Sequence, residues 1–131
     1  MFVDASAIIA IIGDEEDGPT LAARLGQAGK AYVSPIVIYE AIAGLARRRA
    51  CTISQAEELV DLFMSEAGVE TIEINARIGR DAIRAFEQYG TGRHKADLNM
   101  GDCFAYACAN ARRTSLLFKG NDFVHTDVEV A

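Results

Sequence analysis

Four short strand-like segments, Met1-Phe2-Val3, Ala31-Tyr32-Val33, Val69 to Ile74 and Ser115 to Phe118, are separated by longer segments with helical spacing. Short segments of this kind read as strands, and strands that alternate with helices along a chain build α/β units. Strands joined by helical crossovers lie parallel. The pattern predicts an α/β fold, a three-layer α/β/α sandwich with a mostly parallel central sheet.

The chain has 131 residues, half of them apolar, which suits a single domain over residues 1–131 with one core. No apolar run approaches the roughly 20 residues of a membrane span, and no basic region or small-residue cleavage site flanks the N-terminal apolar stretch. The expectation is a soluble, cytoplasmic protein without a membrane partner. Cys51, Cys103 and Cys108 cannot all pair and show no metal-binding spacing, so they read as reduced fillers. The formal charge of −6 argues against broad nonspecific nucleic-acid binding and leaves local basic clusters to be weighed separately.

Local signals set the element boundaries. Asp4 closes the first strand, and Ser6 competes with it to cap the helix that follows. Asp14 to Pro19 reads as a solvated acidic turn, followed by a helix from about Thr20 to Gln27. Ser34-Pro35 supplies a cap and a first-turn proline to a helix that carries Glu40 in an otherwise apolar segment and ends in Arg47-Arg48-Arg49. Ser54-Gln55-Ala56-Glu57 has the form of a capping box, ahead of an apolar stripe of Ala56, Leu59, Val60, Phe63 and Met64 that ends at Gly68. Asn75 caps the next helix. Gly90 to Lys95 forms a flexible basic loop that leads to Asn99, which caps an alanine-rich helix with Asp102 in its first turn. The Gly120-Asn121 turn brings in Asp122, and the tail from Val124 to Ala131 shows no pattern.

Asp4, Asp102 and Asp122 fall at strand ends or adjoining helix starts, with Glu40 near the start of another helix. In a parallel sheet such positions gather at the carboxyl edge. Each acid has an ordinary explanation as a cap, a turn residue or a surface charge. Gathered together they would repel and raise one another's pKa unless a cation neutralised them. All-oxygen ligation favours Mg2+ or Mn2+ over zinc, and suits in-line attack of an activated water on a phosphodiester, with no need for His94 or His125.

Val3-Asp4-Ala5-Ser6-Ala7, Ser34-Pro35 followed by Glu40, Leu98-Asn99-Met100-Gly101-Asp102-Cys103 and Leu116 to Phe123 resemble the PIN-domain nucleases, most of all the VapC toxins of bacterial type II toxin-antitoxin modules. The resemblance spans almost the whole chain. It implies a Mg2+- or Mn2+-dependent ribonuclease that acts on tRNA or ribosomal RNA, leaves 5′-phosphate and 3′-hydroxyl ends and inhibits translation. It also implies a homodimer and a cognate VapB-like antitoxin that covers the acidic pocket with a basic side chain. Asp4 and Asp102 are the expected metal ligands, Glu40 a ligand or water-orienting base and Asp122 an outer member of the catalytic set. Many PIN domains carry the fourth acid where this chain has Gly120, so that role moves to Asp122. Arg93, Lys95, Arg112 and Lys119 are expected RNA-phosphate contacts. The rival readings are a noncatalytic RNA- or protein-binding PIN-like module and a Mg2+-dependent phosphatase. A phosphatase would want a second Asp two residues after Asp4, where Ser6 stands.

Overall fold

The computed structural model describes residues 1–131. In chain order the elements are β1 (Phe2–Val3), α1 (Ala5–Ile12), α2 (Gly18–Gly26), β2 (Ala31–Val33), α3 (Pro35–Arg49), α4 (Ile53–Ala67), β3 (Val69–Thr71), α5 (Ala76–Tyr89), α6 (Met100–Ala111) and β4 (Leu116–Leu117). The four strands form one parallel sheet in the order β3-β2-β1-β4, with Phe2 in register with both Tyr32 and Leu116. From β1 to β3 the chain steps outward in one direction, so right-handed crossovers place α1 to α4 on one face. It then returns past β1 to β4, which puts α5 and α6 on the other face and completes the three layers. The order reverses between β1 and β4, and ligands of open α/β sheets bind outside the strand ends at such a point.

Small side chains bring α6 close to the sheet. Ala105, Ala107, Ala109, Cys103 and Cys108 are all buried, in one core cluster that also holds Phe2, Val3, Leu116 and Leu117. All three cysteines are free thiols, and burial pushes Cys103 and Cys108 up to about 11, which keeps them protonated and unreactive. No helix is long and apolar enough to cross a membrane.

Four local expectations are corrected. The third and fourth strands are shorter than their strand-like segments, Val69–Thr71 and Leu116–Leu117, because only those residues find ladder partners. The capping box of α4 is Thr52 with Gln55, not Ser54 with Glu57: Thr52 Oγ1 accepts from the Gln55 amide at 3.1 Å, and Gln55 Oε1 accepts from the Thr52 amide at 2.9 Å. Ala50 in the left-handed region (φ 48°) already reverses the chain, so the helix starts earlier and gains backbone hydrogen bonds. The turn at residues 14–19 is not wholly solvated, since Glu15 is largely sheltered and pairs with both Arg48 and Lys119. The tail is docked: the Leu116 amide donates to Glu129 O at 2.8 Å, the Ala131 amide donates to Leu116 O at 3.0 Å, and the Tyr106 hydroxyl donates to Asp127.

Candidate active site

Each acid is placed by a local rule. Asp4 follows β1, where its amide donates to Leu117 O at 2.9 Å, and it caps α1. Its Oδ2 accepts from the Ser6 amide at 3.0 Å and from the Ser6 hydroxyl at 2.5 Å. The Ser6 oxygen in turn accepts from the Lys119 amide at 3.0 Å, which ties the start of α1 to the end of β4 across the switch point. Ser6 is therefore the partner of the cap rather than its competitor. Asp102 sits at the third position of α6 in a reciprocal box: Asn99 Oδ1 accepts from the Asp102 amide at 2.9 Å, and Asp102 Oδ2 accepts from the Asn99 amide at 3.0 Å. In both acids the capping bonds fall on Oδ2.

Glu40 reaches the same place from the second turn of α3. Its carboxylate lies so close to Gly101 that a Cβ there would collide with both carboxylate oxygens, so glycine at this position makes room for the acid. Asp122, exposed in the turn after β4, is near enough for its charge to act on Asp4 and Asp102.

The electrostatics are those of uncompensated neighbours. Burial pushes Asp4 above the ordinary carboxyl range, against the pull of its Ser6 bonds, and the charge of Asp122 adds to the rise. Glu40 is pushed up to about 7, first by burial and then by Asp4 and Asp102. Asp102 also rises to about 7, through burial foremost, against the pull of the Asn99 amide and with the charges of Asp4, Asp122 and Asp97 adding to the rise. The chain thus buries acids together where no Lys or Arg compensates them, a costly arrangement that protonation or a bound cation relieves. No three of the side chains meet in ready-made coordination geometry. The donor set, all oxygen and strongly anionic, fits a hard divalent cation and not zinc.

The structure does not bring the expected basic residues to this site as a group. Lys119 is next door through its backbone, but its ammonium is engaged by Glu15 and lies 4.0 Å from Asp17. The Arg93 guanidinium stacks 5.2 Å from the Phe86 ring centroid, and Lys95 is exposed on the loop before α6. Arg112 is ten residues beyond Asp102, about 15 Å along α6, with its guanidinium over Tyr32. The sequence reading missed Gly101 and Glu15. The motif Asn-x-Gly-Asp carried the signal for the first; nothing in an acidic turn marked the second.

A hollow of about 980 Å3 lies elsewhere, between α5 and α6, lined among others by Arg77, Arg84, Arg112 and Arg113. The acids with raised pKa values cluster instead at the switch point.

Acids from separate elements thus lie together at the switch point of a parallel sheet, in an α/β/α fold. The PIN-domain family model matches residues 1–129. A VapC ribonuclease of Rhizobium meliloti (strain 1021) is 41% identical over 139 residues, covering 97% of this chain and 98% of its own. VapC20 of Mycobacterium tuberculosis, described as a Sarcin-Ricin loop cleaving toxin, matches with a TM-score of 0.78 at 17% identity over 99% of this chain and 97% of its own. A toxin-antitoxin complex from Klebsiella pneumoniae matches at 0.73 and 17% identity, over 99% of this chain and 95% of the matched one. At such identities the two structures speak for the fold alone. The chain belongs to the PIN-domain family and, within it, to the VapC group.

Proposed function

We propose that this chain is a divalent-metal-dependent endoribonuclease and the toxin of a type II toxin-antitoxin pair. The observation that carries the reading is the convergence of Asp4, Glu40 and Asp102 at the switch point, with Glu40 and Asp102 held near neutral pKa by burial and by each other's neighbours. Asp4 and Asp102 are the residues to hold Mg2+ or Mn2+, each fixed by a cap that leaves Oδ1 outside the capping bonds. Such an ion, when bound, supplies Lewis-acid activation of water and charge stabilisation at the phosphoryl oxygens.

Glu40 supplies the proton acceptor. Its carboxylate, half-buried beside Asp4 and Asp102, is placed to orient an attacking water and take its proton. Gly101 keeps it in place by leaving its carboxylate room. Asp122, exposed and in range of Asp4 and Asp102, acts as the outer acid of the set. Attack by water on the phosphorus, with departure of the 3′ oxygen, leaves a 5′-phosphate and a 3′-hydroxyl.

The substrate is tRNA or ribosomal RNA, and the partner is a VapB-like antitoxin that occupies the acidic pocket with a basic side chain. A homodimer is the working unit. What supports the antitoxin is the relationship to VapC proteins, together with a structural neighbour that is itself a toxin-antitoxin complex. Purified protein is incubated with total RNA in Mg2+, Mn2+ or EDTA, and product 5′ ends are sequenced. Metal-dependent cuts bearing 5′-phosphates, absent with Asp4→Ala, are expected. RNA binding without cleavage in any metal would replace the enzyme with a noncatalytic module.

A further inference from the structure

Beside the acids lies a second, smaller hollow of about 540 Å3 whose walls are mostly apolar: Pro35, Ile36 and Tyr39 from α3, and Met100 from α6. Tyr39 is 75% exposed and Met100 67% exposed, the two most exposed large hydrophobic side chains of the molecule. Two such groups facing one hollow are unusual on a protein surface unless something flat and apolar covers them. Glu40 and Gly101 line the same hollow, so it shares a wall with the acid cluster. Asn99 is at its rim, with its Oδ1 committed to the α6 cap and its amide NH2 free of protein partners.

We propose that this hollow is a nucleobase subsite, in which Tyr39, backed by Met100, stacks an unstacked base of the RNA next to the scissile phosphate. The inference rests on the ribonuclease reading and adds to it where the strand lies and what chooses the cut. A strand whose phosphate reaches the bound cation beside Glu40 carries a base attached to that same backbone, and the Tyr39 hollow shares its Glu40 wall with that place. Aromatic rings are the usual platform for single-stranded bases, since every base offers a π face. An apolar hollow cannot repel the base, whereas the acids repel the phosphates on every side of the bound cation. Phosphate and base are thus sorted to opposite sides of Glu40. A subsite of this kind demands a strand that can unstack, so the cut falls in a loop or single-stranded stretch rather than inside a helix.

The test uses the full chain with Mn2+ and a short single-stranded RNA of random sequence, the cut being located by sequencing product 5′ ends. The preferred RNA is then remade with an abasic residue on either side of the cut. Tyr39→Ala is expected to raise KM about 5- to 150-fold with kcat little changed, the range of one lost base stack. Tyr39→Trp is expected to keep wild-type KM. One of the two abasic substitutions should cost the wild type a similar factor and cost Tyr39→Ala nothing further. Additive losses, or unchanged KM in Tyr39→Ala, overturn the subsite. Normal cleavage by Tyr39→Ala, with loss of binding to a co-expressed antitoxin, also overturns it and gives the hollow to a protein side chain. Absence of cleavage by the wild type overturns the ribonuclease reading and the subsite together.

Discussion

The acid edge and the arginine-lined cleft are opposites built by the same fold. At the edge, Asp4 and Asp102 are buried beside Glu40, with pKa values raised by that burial first and then by the charge of Asp122. In the cleft the charges are exposed and partly self-neutralised: Asp81 lies 3.3 Å from Arg84 and 4.0 Å from Arg77, while Arg112 and Arg113 have no carboxylate partner. The edge is small and electrostatically frustrated; the cleft is large and relaxed. Frustration of this sort persists only where the surrounding structure enforces it, and it is the ground for proposing the chemistry at the smaller place. The cleft has the character of a surface that positions a polyanion without acting on it.

The sharpest way to break this contrast is Asp102→Asn. Loss of a carboxylate that holds the cation is expected to cut RNA cleavage by about 10³-fold, equivalent to several kcal/mol of transition-state stabilisation, with the circular dichroism spectrum unchanged. Cleavage within tenfold of wild type would mean the acid edge is not the chemical centre.

Gly101→Ala comes next. The added methyl meets the far end of a flexible side chain, so Glu40 swings away while the fold stays intact. Activity should fall about 10- to 100-fold at nearly unchanged melting temperature, by analogy with loss of groups that support metal ligands. A large drop in stability instead would show that the Gly101 contact is structural rather than catalytic.

For the cleft, Arg112→Gln with Arg113→Gln is expected to weaken RNA binding about fivefold per residue, measured by titration in the Asp102→Asn background. The slope of log affinity against log salt should become shallower by about one for each arginine. The turnover number of the doubly substituted enzyme with Asp102 intact should not move. An equal fall in turnover would erase the distinction between the two regions.

The smallest effect is on stability. Folded Glu40 and Asp102 titrate at about 7, above their ordinary values of 4.5 and 3.8. Between those limits the folded protein holds more protons than the unfolded chain, so stability falls as pH rises from about 4 to about 7. Glu40→Gln removes one such contribution and should raise the metal-free melting temperature at pH 8 by roughly 2–4 °C. Added Mn2+ should stabilise the wild type more than the variant, because the cation offsets a repulsion the variant lacks. A variant less stable than wild type at pH 8 would contradict the raised acid.

Much of the fold was legible because local rules agreed with one another. Ser34-Pro35, Asn75, Asn99 and Gly68 all bound helices where their chemistry says they should. Local pattern placed the capping box of α4 at Ser54, whereas the structure places it at Thr52, just after the left-handed turn at Ala50. The tail gave no signal because its order comes from β4 and Tyr106, contacts distant in sequence. The acids could be suspected from their positions at strand ends, but their ordinary roles as caps were equally visible. Asp4 and Asp102 prove to be caps, and capping is what fixes them in the acid cluster.

The order of short strands and capped helices, and with it a parallel sheet with acids at its carboxyl edge, was determined by the sequence alone, because capping and hydrophobic period act within a few residues. Only the tertiary structure decided that Glu40 packs against Gly101, that Lys119 is engaged by Glu15, and that Arg112 lies a helix length from Asp102. Burial and charge coupling depend on which distant segments become neighbours, and those are properties of the packed molecule rather than of any stretch of chain.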